Sequence, residues 1–415
     1  MARAQTIPRM HSSLLSVPVI VAALGYFVDI YDLVLFSIVR VPSLRALGVT
    51  DPTALLNIGA RLLNMQMIGM LIGGILWGIL GDKKGRISVL FGSIAMYSIA
   101  NIANGFVESV EAYAWLRFIA GIGLAGELGA GITLVSEIMP KETRGYGTMI
   151  VASVGILGAV VASLVGDYFD WRIAYYVGGG LGLALLALRI GVFESGMFSA
   201  VKERNIGRGN FLSLFSSVRQ TVKYISCVLI GIPIWYVIGL LITFSPELGA
   251  ALGMPVAPSA GRAIMYAYIG LAAGDFISGF LSQYLGTRKK VVFAFILITA
   301  AAIATYVLTS GLSLVAFYAL CVALGFGSGY WAVFVTIASE QFGTNIRATV
   351  TTTAPNFVRG SVPLLIFLFQ GWRGSLGVIG SASAVGAITI VVALIGLWNL
   401  EETHGKDLDF VEGAT

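Results

Sequence analysis

Histidine is almost missing from this chain: 415 residues include two, His11 and His404, both near the ends. A membrane enzyme needs a metal, a nucleophile or a general base, and with so little to supply one, no enzymatic reaction and no resident metal or cofactor is expected. Cysteine is equally scarce. Cys227 and Cys321 lie inside apolar runs and read as free thiols, which excludes a disulfide framework. Charge is the third deficit, with 11% charged residues against 57% hydrophobic, a balance unlike that of a soluble domain. The net charge of +5 is spread over short loops rather than along one face, so it argues for membrane orientation and against a nucleic-acid partner. No cleavable leader is evident. The first apolar run, 14–39, is longer than a signal-peptide core and holds two aspartates, so it reads as a mature span.

What the chain has is long apolar runs. Leu62 to Leu80, Ile87 to Phe106 and Gly377 to Leu397 are each long enough, at about 20 residues, to cross a bilayer as a helix. Twelve such spans are predicted, at 14–39, 55–80, 87–106, 111–138, 148–168, 173–193, 224–246, 263–285, 291–310, 312–341, 349–370 and 376–398. The 52 glycines, costly in soluble helices, suit membrane helices that must approach closely. With the N-terminus inside, most of the Lys and Arg fall in inner segments, while the outer loops hold only Arg40, Arg45, Arg172, Arg262 and Arg373. By the positive-inside rule both termini are cytoplasmic. Arg61, Arg117, Arg189 and Arg359 fall within or near the edges of spans.

The sequence also repeats itself. Ser136-Glu137 followed by Arg144-Gly145 recurs as Ser339-Glu340 followed by Arg347-Ala348, and Gly121-x-Gly123 recurs as Gly325-x-Gly327. Asp170-Trp171-Arg172 is echoed by Gly371-Trp372-Arg373, and the loop from Gly81 to Arg86 by Gly286 to Lys290, all at an offset of about two hundred residues. Four matches at nearly one offset imply two related six-helix halves, 1–193 and 224–415, joined by a cytoplasmic linker, 194–223.

Gly78-x-x-x-Asp82-Lys83-Lys84-Gly85-Arg86 resembles the signature loop of the major facilitator superfamily. Arg117-x-x-x-Gly121-x-Gly123, Glu137 with Arg144, Glu340 with Arg347, and Glu401-Glu402-Thr403-His404-Gly405 resemble the sugar porters and the metabolite:proton and aromatic-acid:proton symporters. The resemblance implies the all-α fold of that superfamily, twelve transmembrane helices in two pseudo-symmetric bundles. It also implies a gating role for Asp82, Arg86, Glu137, Arg144, Glu340 and Arg347, as cytoplasmic ion pairs that hold the outward-facing state; exposed loop charges worth little to either state are the alternative. Glu401 stands where those families often have proline, and the second-half loop lacks its aspartate.

Asp29-Ile30-Tyr31-Asp32 in span one looks like the acid-x-aromatic-Asp element of the organic-acid symporters. A carboxylate in hydrocarbon is expensive, so it reads first as a paired or protonatable functional group. Asp32 lies about seven residues below the outer end of span one and Arg117 about six below that of span four, which at about 1.5 Å per residue places them at nearly one depth. The resembled families place spans one and four side by side, and that resemblance implies an Asp32–Arg117 pair. Shifted into the second half, Asp29, Asp32, Arg117 and Glu127 meet Pro233, Tyr236, Cys321 and Trp331, so none of these charges has a counterpart. Asp29, Asp32, Arg117 and Glu127 are the proton-coupling candidates, with a structural bridge as the alternative for the pair and a tie to a neighbouring backbone or cation as that for Glu127.

Arg359, about ten residues into span eleven, has Ile156 at its first-half position, and Pro355, Asn356, Gly360 and Pro363 around it would bend the helix. A guanidinium there suits a carboxylate ligand, unless it neutralises Asp275 or Glu127. Tyr236, Tyr330, Trp331, Gln66 and Asn356 complete the substrate-binding candidates; the resemblance implies that spans seven and ten line the cavity, so the aromatics with Trp235 are candidates for its second-half wall, with packing or interface anchoring as the alternative. A channel would want a continuous polar pore, whereas isolated charges in a two-half repeat suit alternating access. The reading is a monomeric transporter of the bacterial inner membrane, surrounded by lipid, that carries a small organic acid with a proton. Sugar or polyol transport is the alternative. Export of a drug or metabolite is a third reading, disfavoured because Gly155-Ile156-Leu157-Gly158-Ala159 lacks the proline of the exporters' motif.

Overall fold

The computed structural model describes residues 17–84, 86–127, 144–194, 211–343 and 346–406. Glu137 lies outside them, and so do the side chains of Asp82, Arg86 and Arg144, whose backbone is helical. The helices are α1 (Val17–Ala46), α2 (Pro52–Lys84), α3 (Arg86–Asn104), α4 (Val110–Leu124), α5 (Arg144–Ile156), α6 (Gly158–Tyr168) and α7 (Trp171–Glu194) in the first half. The second half has α8 (Val218–Tyr236), which runs on into a π-helical turn (Val237–Ile242), then α9 (Ser245–Ala251), α10 (Ala260–Tyr284), α11 (Lys289–Leu308), α12 (Leu314–Ser328), α13 (Trp331–Glu340), α14 (Arg347–Gly360) and α15 (Val362–Asn399). No strand occurs among the described residues. Span five is α5 plus α6, span ten α12 plus α13, and α15 finishes span eleven before turning at Gly377, whose φ of 70° only glycine adopts at no cost, into span twelve. The π turn at the end of α8 and the start of that helix at Val218, inside the stretch assigned to the linker, are features the hydropathy pattern does not carry.

Within each half one pair of spans crosses at backbone contact, and glycine makes it possible. A Cβ on Gly69 or Gly73 of α2 would fall 2.2 Å or 2.4 Å from a carbonyl oxygen of α4, and one on Gly121 of α4 would fall 2.1 Å from that of Gln66. The second half repeats the arrangement with Gly270 and Gly274 of α10 against α12, where a Cβ on Gly325 would meet the Ala267 oxygen at 1.8 Å. These are small-x-x-x-small seams, which let membrane helices gain packing that lipid cannot supply. The halves then meet along two further seams, α2 with α14 and α10 with α5 and α6, with α1 also touching α10. The first is again built on small residues: Gly74 seats Asn356, and Gly360 seats Leu71. Between these seams, at mid-membrane depth, lies a cavity.

Candidate functional site

Arg359 sits in the last turn of α14, next to the break at Ser361 that separates it from α15. Pro355 inside α14 and Pro363 just beyond the break weaken the helix ladder there, as the sequence suggested. Its side chain is buried, with the guanidinium carbon 5.6 Å from the ring centroid of Trp235 and 5.5 Å from that of Trp331. Nε and Nη1 have no hydrogen-bond partner among the described residues. The cavity it enters is otherwise walled by Tyr26 and Ile30 of α1, Ile156 of α5, Ile238 of the π turn and Tyr268 of α10, besides the two tryptophans. A guanidinium between two indole faces gains cation–π attraction but keeps donors to spare.

Neither acid that could have neutralised Arg359 does so by direct contact. Both oxygens of Glu127 are taken by Arg189 of α7, at 2.9 Å and 2.5 Å, in a buried two-pronged pair. That pair lies over Gly25 of α1, where a Cβ would collide with it at 2.1 Å. Asp275 of α10 accepts the Ala332 N–H at 3.0 Å. Glu127 is thus tied to a cation. Arg189, set aside in the sequence as lying near a span edge, is the partner; the signal was an unpaired arginine and an unpaired acid both toward the inner ends of their spans.

The acids of α1 are different. Asp29 and Asp32 are wholly buried, and none of their four carboxylate oxygens has a hydrogen-bond partner among the described residues. At about 100° per residue, Asp29 is turned about 60° and Asp32 about 120° from Tyr26, so Asp29 lies to the side of the cavity wall formed by Tyr26 and Ile30, and Asp32 is turned further away from it. There Asp32 Oδ1 lies against Gly178 of α7, in space that a Cβ would fill. Arg117 does not form the direct pair with Asp32 that equal depth suggested. Its fork donates instead to the side-chain oxygens of Asn101 and, at 3.4 Å, Asn104, which stand nearly one turn apart on α3, while its carbon lies 4.9 Å from the Tyr175 ring centroid. Depth fixed the level of the two charges, but two amide oxygens spaced to suit the fork won the contact. Arg117 remains the main cation acting on Asp32, and Arg359 the main cation acting on Asp29.

The other substrate-binding candidates separate into those at the cavity and those held away from it. Trp331 is at the cavity. Tyr236 donates its hydroxyl to Ala382 O at 2.6 Å and Tyr330 donates to Ile230 O at 2.9 Å, both inside the second half. Gln66 donates to Leu33 O at 2.9 Å. Asn356 donates to Thr352 O and, across the halves, to Ala125 O, each at 2.8 Å. Tyr26 and Tyr268, which line the cavity, were not distinguishable in the sequence from other span tyrosines.

At the ends that the charge pattern places outside, the halves are locked together. Arg40, fully buried near the end of α1, pairs with Glu247 of α9 at 2.8 Å, donates to Thr243 O at 3.4 Å and lies 4.7 Å from the Phe244 ring centroid. Thr243 donates to Ser37, and Arg262 of α10 pairs with Asp167 of α6 at 3.2 Å. The structure is therefore closed on that side. At the opposite ends of the second half, Glu340 pairs with Arg288 at 3.2 Å, while Arg347 donates to the Ser339 and Phe342 carbonyls. The terminal motif joins this cluster. Burial opposes the charge of Glu402, but hydrogen bonds from Thr287, Arg288, His404 and Lys289 outweigh it and bring its carboxyl down to about 2.

The shape and the sequence both have relatives. The chain superposes with a TM-score of 0.68 on a structure of the proton:xylose symporter XylE bound to 6-bromo-6-deoxy-D-glucose, at 17% identity, covering 94% of this chain and 97% of that one. It is 28% identical over 402 residues to a putative niacin/nicotinamide transporter of Bacillus subtilis strain 168, covering 94% of this chain and 96% of the relative. It is 27% identical over 342 residues to the 3-(3-hydroxy-phenyl)propionate transporter of Escherichia coli K12, covering 79% and 81%. Multiple apolar helices in two related halves make a multi-pass membrane protein, and residues 22–365 match one family throughout. On that match, this transporter belongs to the Major Facilitator Superfamily.

Proposed function

We propose that the chain is a proton-coupled symporter of small aromatic carboxylates, working by alternating access in a bacterial inner membrane, as a monomer with both termini cytoplasmic. The observation that carries this is Arg359, a buried guanidinium with unpaired donors, held between Trp235 and Trp331 in a cavity whose other walls are aliphatic or tyrosyl. A buried cation without an anion is costly, and a substrate carboxylate would supply two oxygens matched to the fork. A flat ring attached to that carboxylate would replace water against indole and isoleucine surfaces. A sugar, which asks for many amide and hydroxyl partners, has few here. Names of the relatives above, one a niacin/nicotinamide and one a hydroxyphenylpropionate transporter, support the same chemistry.

Coupling follows from the α1 acids. Asp29 stands on α1 beside Ile30 of the cavity wall, Arg359 enters the cavity from the other half, and Arg359 is the cation that acts most strongly on Asp29. An incoming carboxylate that occupies Arg359 would stand near a second anion in a dry site, and a proton on Asp29 removes that repulsion. One anion and one proton then cross together, with no net charge buried. Asp32, facing its own half beside Arg117, is placed to hand the proton on rather than to meet substrate.

The test is uptake into proteoliposomes with an imposed pH gradient, using radiolabelled benzoate, nicotinate, succinate and xylose. Benzoate or nicotinate should accumulate, and Asp29→Asn should abolish accumulation while preserving exchange of preloaded substrate. Xylose uptake without carboxylate uptake overturns the substrate class, and full accumulation by Asp29→Asn overturns the coupling role.

A further inference from the structure

Span ten does not cross the membrane as one helix. It stops at Ser328 and restarts at Trp331, so the first amides of α13 emerge in the middle of the bundle without partners from their own helix. Tyr330, at the cap position, makes no side-chain cap bond. In water such amides would be solvated, but at mid-membrane each one left alone costs several kcal/mol. The acceptor arrives from another helix: Asp275 Oδ1 takes the Ala332 N–H at 3.0 Å. Backbone contact makes the reach possible. A Cβ on Gly329 would fall 2.5 Å from Gly274 Cα and 2.6 Å from Asp275 N, so any other residue would push α10 away from the break.

Trp331 is the first residue of α13 and also one of the two indoles that flank Arg359. We propose that Asp275 is a positioning residue that caps α13 in trans and thereby holds Trp331 in place as a wall of the substrate cavity. The carboxylate acts through its hydrogen bond to the helix end and does not touch substrate or Arg359. This inference rests on the aromatic-carboxylate reading for its effect on binding, but the cap itself does not.

The two parts can be read separately in protein labelled with 5-fluorotryptophan, with the Trp331 fluorine resonance assigned from Trp331→Phe and benzoate as the probe. Asp275→Ala should shift or broaden the Trp331 resonance while leaving the distant Trp398 resonance alone, and should weaken benzoate binding roughly tenfold, the scale of a lost cap. Asp275→Asn keeps an oxygen acceptor without charge and should restore both the resonance and most of the affinity. An Asn variant as damaged as Ala would overturn the cap, because then charge and not the hydrogen bond matters. So would an unmoved Trp331 resonance in Asp275→Ala. If the resonance moves but wild-type protein binds no benzoate, the cap stands and the substrate reading falls.

Discussion

The two halves interrupt their fourth and tenth spans at corresponding places and finish the breaks with opposite chemistry. In the first half α4 ends at Leu124, and the carbonyls freed there are met by donors: Trp77 Nε1 to Ile122 O at 2.6 Å and Asn356 Nδ2 to Ala125 O at 2.8 Å. In the second half the freed groups near Asp275 are amides, met by an acceptor. The residue after the break differs likewise, Glu127 locked to Arg189 in one and Trp331 facing the cavity in the other. Both carboxylates of α1 have neither oxygen hydrogen-bonded among the described residues, and across the cavity the guanidinium on α14 has two nitrogens without a partner. One backbone plan, doubled, thus carries acids without hydrogen-bond partners on α1 and an arginine with free donors on α14. Under the function proposed above, that division is what lets a proton and an anion bind to separate halves and still sense one another.

The comparison breaks most easily at Arg359. Arg359→Ala should cost benzoate roughly 2–4 kcal/mol of binding, the range for truncating one partner of a buried charged pair. Arg359→Lys, which keeps charge but loses the fork, should fall between Ala and wild type. Equilibrium binding in detergent measures both without requiring turnover. Equal affinities across all three proteins would mean that the second half does not supply the cation for substrate.

A smaller effect should come from the lock that joins the halves. Glu247→Gln removes the charge opposite Arg40, and the population with separated outer ends should rise by roughly 1–3 kcal/mol, read from spin-label distances between the outer ends of α1 and α10. Distances unchanged from wild type would show that Thr243, Phe244 and the Arg262–Asp167 pair hold that end without it.

The smallest concerns the second half alone. Glu402 has an ordinary value of 4.5 and is brought down to about 2, so its contribution to stability is present above pH 4.5 and is lost as pH falls toward 2. Solvent screening keeps it to about 1 kcal/mol or less. Glu402→Gln should therefore unfold at slightly lower temperature than wild type at pH 7, with the gap narrowing as pH falls below 4.5 and closing only below about pH 2. A gap as large at pH 3 as at pH 7 would assign the loss to something other than this carboxylate.

Much of the architecture was readable because its causes are local. Apolar run length, loop charge and repeated glycines each depend on a few neighbouring residues, and Arg359 stood out because prolines and its missing counterpart mark it in the sequence itself. Partner choice was harder. Asp32 and Arg117 share a depth, yet Arg117 went to Asn101 and Asn104, because a fork is won by acceptor spacing rather than by height. By sequence Arg40 falls just past the first apolar run, 14–39, and so in an outer loop, but α1 continues through Pro42 to Ala46 and carries Arg40 into the closure with Glu247. Asp275 was legible as an acid in a span; what it caps depends on a break in another helix that hydropathy averages away.

The glycine seams inside each half have a mechanical consequence. Where α2 meets α4, and α10 meets α12, atoms of two backbones are in contact, so neither pair can be squeezed or slid without steric collision. Each pair behaves as one stiff lever spanning the membrane, and motion is left to the seams between halves. For a lever crossing a hydrocarbon core of about 30 Å, a tilt of about ten degrees displaces one end by about 5 Å. That is more than the thickness of an aromatic ring, so a path for a flat solute can open while every helix keeps its length and its hydrogen bonds.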